Sequence, residues 1–263
     1  MRSELETDFF VPKVPRVMAH RGLSGLYPEN TLLAFEQAVR AGAEYIELDV
    51  HMSRDGEVVV CHDAELERTT NRRGLIRELS YAEVAAADAG YNFADANGGF
   101  PFRGERLSIP RLAEVLAAFG QINFVLEIKQ VEPSLVAAMS EVVEKAGMRR
   151  RVLIASEHQR PLDEARRMMP GVPTNFSAAE TAEFFGRLVN GMEGYRPPGD
   201  ALQIPPEHRS LRLVTEQSVA GVRALGLEMH VWTVNEPAEA QAFLRMGVHG
   251  IITDFPDLIL ALL

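Results

Sequence analysis

Four short stretches in the first quarter of the chain carry reactive side chains: His20-Arg21-Gly22, Pro28-Glu29-Asn30-Thr31, Glu47-Leu48-Asp49 and His62-Asp63. A phosphodiester is an anion that repels nucleophiles. Its cleavage needs the charge neutralised, the attacking oxygen activated and the leaving alkoxide protonated. Two histidines, an arginine and paired carboxylates are the residue types for those tasks. Glu47 and Asp49 lie two apart, so on a strand their carboxylates share one face while Ile46, Leu48 and Val50 share the other. Carboxylates converging inside a fold are costly without a positive partner. A hard divalent cation such as Mg2+ or Ca2+, which takes oxygen ligands, satisfies them. Phe124-Val125-Leu126-Glu127-Ile128-Lys129 repeats the spacing and offers a third carboxylate and an ammonium able to hold a phosphate oxygen.

These side chains must be gathered by the elements that carry them. Apolar, β-branched runs alternate with amphipathic stretches along the chain. Strands are expected at 17–20, 45–51, 123–129, 152–155, 172–176, 201–204, 229–234 and 250–253. Helices are expected at 31–41, 111–119, 134–146, 161–169, 179–189, 216–225 and 237–246, with the run 58–61 as a short hairpin partner after the Asp55-Gly56 turn. Eight strands in β/α alternation are the count of a TIM (β/α)8 barrel. The chemistry supports closure: His20, Glu47, Asp49, Glu127, Lys129, Trp232 and Asp254 fall within or at the ends of strands, and a barrel collects such positions at one mouth. An open sheet would scatter its first and last strands. Residues 64–106 interrupt the rhythm and are too apolar for a linker, so they form an insertion after the second strand unit. Its aromatics either cap the mouth or pack the insertion onto the barrel.

The 263 residues are taken as a single barrel domain of ordinary globular composition, 46% hydrophobic and 24% charged. A net charge of -10 with no basic tract argues against nucleic acid or an anionic membrane as partner. A small anionic substrate must then be captured by local cations, which gives Arg21 and Lys129 their weight. The single cysteine, Cys61, excludes an internal disulfide framework and fits a reducing compartment; on its apolar run it reads as a buried side chain. The first sixteen residues have no continuous apolar core, so no signal peptide is expected, and no run reaches transmembrane length. The simplest location is the cytoplasm. Before Leu32-Leu33-Ala34-Phe35, Asn30 or Thr31 is placed as an N-cap, a role favoured for Asn30, with Glu29 orienting a catalytic side chain. Trp232, the sole tryptophan, serves equally well as a substrate-facing wall or as core. Zinc spacings, a Walker loop, a nucleophile elbow and a dinucleotide fingerprint are absent.

Together these motifs, with Arg68-Thr69-Thr70, Leu126 to Lys129 and Trp232 to Asn235, resemble the glycerophosphodiester phosphodiesterases over nearly the whole chain, from about 17 to 256. The resemblance implies a TIM barrel with a family-type insertion and a divalent cation on Glu47, Asp49 and Glu127. It implies His20 and His62 as general base and acid. The expected substrate is a small-molecule phosphodiester, a glycerol phosphate esterified to an alcohol, hydrolysed to sn-glycerol 3-phosphate. Arg21, Lys129 and Trp232 would meet that substrate. One departure is Ala155-Ser156-Glu157-His158, where many relatives have a serine-phenylalanine pair. Lysophospholipase D activity on the same fold is the nearest rival. A non-catalytic binding module and a sugar-phosphate isomerase or aldolase stand further off, because neither needs two histidines beside three carboxylates.

Overall fold

The computed structural model describes residues 7–263. Its central strands are β1 (Arg16–His20) and β2 (Tyr45–Met52), joined by helix α1 (Leu32–Arg40). The short β3 (Val58–Val60) returns antiparallel along β2. After α2 (Tyr81–Ala85) and α3 (Leu112–Ala118) the rhythm resumes with β4 (Asn123–Ile128), α4 (Val136–Lys145), β5 (Val152–Ala155) and α5 (Gln159–Met168). Next come α6 (Ala178–Asn190), β6 (Ala201–Ile204) and a hairpin of β7 (Glu207–His208) and β8 (Leu211–Arg212). The chain ends with α7 (Glu216–Ala224), β9 (Glu228–Val231), α8 (Pro237–Met246), β10 (Gly250–Thr253) and α9 (Pro256–Leu260).

The sheet runs β5-β4-β2-β1-β10-β9-β6, with every pairing on this path parallel. Residues 173–175 close the gap between β5 and β6. The Ile154 N–H donates to the Pro173 carbonyl at 2.9 Å and the Asn175 N–H to the Ile154 carbonyl at 3.0 Å; the Asp200 N–H donates to the Thr174 carbonyl at 2.8 Å. The chain is therefore a TIM-type barrel, as its alternation implies. The expected strand at 172–176 is reduced to isolated bridges at Thr174 and Asn175. Pro173 has no N–H to give, and the Thr174 N–H is taken by the Asp200 carboxylate at 3.0 Å.

Strand parity divides the core. Ile46, Leu48, Val50, Phe124, Leu126 and Ile128 point outward into an apolar layer with helices such as α1, α3 and α4. Met18, Tyr45, Val125, Leu153 and Ile252 point inward, where Phe9 joins them. Phe9 closes the end of the barrel where strands begin: the Tyr45 hydroxyl donates to its carbonyl at 2.6 Å. Beside it, buried Arg16 pairs with Glu228 at 2.7 Å. The opposite end is left for chemistry.

The insertion builds its own core, with Leu66, Ile76, Val84 and Ile109 around Val59 and Cys61. Phe102 packs against Phe93 and Tyr27, with ring centroids 5.4 and 5.8 Å away. Of its two readings, packing describes these aromatics. Cys61 is buried and its thiol pKa is pushed up to about 12 by burial, which fits an inert side chain. Among the described residues no helix is long and apolar enough to cross a membrane. The signal-peptide expectation falls partly on residues 1–6, outside the described residues.

Candidate active site

Register explains how the acidic residues meet. β2 and β4 pair so that Asp49 stands beside Glu127, and β1 pairs with β2 so that His20 stands beside Glu47. Parity turns all four inward. Glu47, Asp49 and Glu127 each offer a carboxylate oxygen within 4.8 Å of the others. Asp49 is fully buried and Glu47 is 3% exposed. Lys129, just past β4, puts Nζ 2.8 Å from Glu127 and 3.2 Å from Asp49. Arg21 reaches Asp49 at 3.2 Å and Glu29 at 3.0 Å.

These two cations do not satisfy the cluster. Oε1 of Glu47 is buried and accepts no hydrogen bond, and among the described residues no lysine or arginine lies within ion-pair distance of Glu47. Oδ1 of Asp49 has only the Lys129 ammonium, off hydrogen-bond geometry. Burial and the Asp49 charge push the Glu47 pKa well above the ordinary carboxylate range. Burial likewise raises Glu127, against the pull of Lys129. On Asp49 burial is the largest influence and acts upward, but Lys129 and Arg21 overcome it and hold the group ionised. Unanswered, buried carboxylate oxygens on converging strands fit a hard divalent cation.

Each histidine gives its Nδ1 to a carboxylate. His20 lies 2.7 Å from Asp254 Oδ1, and its Nε2 faces Glu47 at 3.9 Å. His62 Nδ1 lies 2.7 Å from Asp63, whose other oxygen is held by Arg68. Arg68 also pairs with Glu29, which meets Arg21, so one chain of ion pairs links the second histidine to the cluster. Burial, the largest influence on His20, disfavours its charge, but the Asp254 hydrogen bond and the Glu47 charge outweigh it and raise its pKa. Asp254 falls to about 2, since its bond to His20 and those from Asn235 and Ser24 overcome burial.

Glycine and asparagine set the turn after β1. Arg21 has φ 55°, Gly22 φ 89° and Asn30 φ 57°. A Cβ on Gly22 would sit 2.7 Å from the Ala34 backbone carbon, so only glycine lets α1 approach. The cap of α1 is Thr31, which accepts from the Ala34 N–H at 3.2 Å. Asn30, favoured for that role on sequence, instead turns into the site and donates from Nδ2 to Asp49 at 2.9 Å. Its left-handed backbone is what frees the side chain. Glu29, expected to orient a catalytic side chain, accepts from Arg21 and Arg68 and touches neither histidine directly.

The mouth opens into a cleft of about 650 Å³ whose polar end is lined by His20, Arg21, Glu47, His62, Glu127 and Lys129. Trp232 lines the cleft and packs on the inner core. Glu157, at the departure from the resembled pattern, also lines it. No residue of 64–106 does, so the insertion contributes through Arg68 rather than through a cap. Sequence reasoning put Asp254 at the mouth without a role, and gave Ser24 and Asn235 none. The only signal was adjacency: Asp254 directly follows β10, and β10 pairs with β1.

A barrel with an acidic cluster and two carboxylate-held histidines at one mouth defines a phosphoric diester hydrolase. The pattern of the Glycerophosphoryl diester phosphodiesterase family matches residues 20–258, and the chain belongs to that family. It is 33% identical over 248 residues to a glycerophosphodiester phosphodiesterase of Bacillus altitudinis, covering 92% of this chain and 95% of the relative. A Bacillus subtilis glycerophosphodiester phosphodiesterase is 32% identical over 256 residues, 92% of this chain and 84% of the relative. Among solved structures, an Oleispira antarctica phosphodiesterase in complex with the product sn-glycerol-3-phosphate has a TM-score of 0.77 at 29% identity, covering 94% of this chain and 96% of that one.

Proposed function

We propose that this protein hydrolyses glycerophosphodiesters to sn-glycerol 3-phosphate and a free alcohol, with one divalent cation, Mg2+ or Ca2+, on Glu47, Asp49 and Glu127. The observation that carries the reading is the cluster of three carboxylates within 4.8 Å of one another, in which Oε1 of Glu47 is buried and unanswered while its Oε2 lies 3.9 Å from Nε2 of His20. When bound, the cation supplies positive charge against the phosphate anion. Arg21 and Lys129 add fixed charge at the same end of the cleft. His20, made more basic by Asp254, takes the proton of the attacking oxygen. His62, oriented by Asp63, protonates the leaving alcohol. Trp232 forms a wall against which the substrate rests. The substrate is a small molecule and not a nucleic acid, given the net charge of -10. The single domain and its lone, buried thiol suit the cytoplasm.

The test is release of sn-glycerol 3-phosphate from a panel of glycerophosphodiesters after chelation, with Mg2+, Ca2+ or Mn2+ added back. Activity should vanish with chelator and return with a metal. His20→Ala and His62→Ala should each lower kcat by about 10²–10⁴-fold while the protein stays folded. Near-native turnover by either variant would end the two-histidine scheme.

A further inference from the structure

A chain of hydrogen bonds crosses the barrel interior from its floor to the cleft. Arg16, 3% exposed, holds both oxygens of Glu228, at 3.0 Å from Nε and 2.7 Å from Nη2. Burial, the largest influence on Glu228, acts upward, but His230 and Arg16 outweigh it and keep the carboxylate ionised. It can therefore only accept. Nε2 of the fully buried His230 lies 3.1 Å from it and must be the donor. A neutral imidazole that donates from Nε2 accepts at Nδ1, and Nε2 of Gln203 stands 3.1 Å from that atom. The amide is thus turned by the groups behind it. Its Oε1 has no partner among the described residues, on a side chain that lines the cleft.

A second amide is fixed nearby. Asn175 is 7% exposed and pairs along the backbone with Ala201, two residues before Gln203, so both side chains share the inner face. The buried Ser156 N–H donates to its Oδ1 at 3.0 Å, which leaves Nδ2, a donor, with no partner among the described residues. Asn175 also lines the cleft, in a wall that includes Phe176, Ile204 and Trp232. One oriented acceptor and one oriented donor amid apolar side chains match a group that both gives and takes a hydrogen bond. A hydroxyl does so; an ether cannot give, and an ammonium cannot take.

We infer that Gln203 and Asn175 bind the terminal hydroxyl of the glycerol, with Arg16, Glu228 and His230 as positioning residues behind Gln203. This rests on the hydrolysis proposed above, in which His62 serves the leaving alcohol. β6 lies across the barrel from β2, with β1, β10 and β9 between them one way round and β4, β5 and residues 173–175 the other. His62 follows β3, the partner of β2, so the glycerol is the half of the diester that extends toward Gln203. Its hydroxyl farthest from phosphorus is the terminal one, and only a free hydroxyl serves both amides.

The test measures choline release from glycerophosphocholine, its 1-deoxy analogue and its 1-O-methyl ether. All three keep the 2-hydroxyl and a head group with no donor. In the unmodified protein kcat/KM should fall by about 10- to 100-fold with either analogue. Gln203→Met removes the acceptor; Asn175→Asp keeps an oxygen for the Ser156 N–H and loses the donor. Each should shrink the ratio between parent and analogue to about threefold or less. A general loosening of the fold would slow all three substrates together and leave the ratio intact. Without metal or turnover, nitrogen-15 NMR should show His230 protonated on Nε2 and bare on Nδ1. Equal cleavage of the 1-deoxy analogue by the unmodified protein, a ratio that survives both variants, or a proton on Nδ1 of His230 overturns the inference. If glycerophosphocholine is cleaved and the analogues are cleaved as well, only this inference fails. If no diester yields choline with any metal, the hydrolysis reading fails and takes the inference with it.

Discussion

His20 and His62 are held alike, each with Nδ1 against a carboxylate, an arrangement that would keep Nε2 for the proton transfers proposed above. The two carboxylates differ in depth of support. Asp63 is a chain neighbour tied to Arg68, whereas Asp254 comes from the far end of the chain and is fixed by Ser24 at 2.9 Å and Asn235 at 2.7 Å. Asp254 is therefore a positioning residue that also raises the basicity of His20. Asp254→Asn should keep the fold and the cation site, lower the His20 pKa and reduce kcat by about 10- to 100-fold. An NMR titration of His20 unmoved by the substitution would refute that role.

At the scale of elements, two short turns decide whether the strands present their chemistry correctly. The Asn30 N–H donates to the Arg21 carbonyl at 3.0 Å, so the turn after β1 and the start of α1 form one unit around Gly22. Gly22→Ala combines a left-handed backbone with a clash against Ala34; Gly56→Ala, at φ 87° with nothing within 4 Å, has the backbone cost alone. Both should destabilise the protein in denaturant unfolding, Gly22→Ala by about 1–3 kcal/mol and by more than Gly56→Ala. Only the first should also depress turnover. The barrel, the acidic trio and both histidines were legible because a period of two and a run of apolar residues are local signals. The closing segment at 173–175 was not: its residues look like a strand, and the Asp200 side chain that takes the Thr174 N–H is 26 positions away. Asn30 was misjudged because a helix start and a left-handed turn into the site share the same residue preference. The role of Asp254 required knowing that the last strand closes on the first.

For the whole molecule, the charged groups of the site shape its stability against pH. The ordinary carboxyl of Asp254 would titrate at 3.8, and the fold lowers it to about 2. A lowered carboxyl stabilises the fold above its unfolded value, and that stabilisation, on the order of 2 kcal/mol, is lost as pH falls from about 4 towards 2. Glu47 works in the other direction. Its carboxyl is raised from 4.5, so the folded state favours the proton, and metal-free stability declines as pH rises above that value. Tm measured across pH in chelator should therefore fall at both ends. Added divalent cation should lift the alkaline side, where the deprotonated cluster binds it. A Tm indifferent to cation at pH 8 would count against the acidic trio as a metal site. The bond between His20 and Asp254 spans 234 residues. A chain emerging from the ribosome thus displays both histidines and the acidic trio by residue 127, yet His20 lacks its partner until residue 254 has been made and the last strand has docked on the first. On the proposed mechanism full-rate hydrolysis awaits that docking, and a fragment truncated before residue 254 should fall short of it.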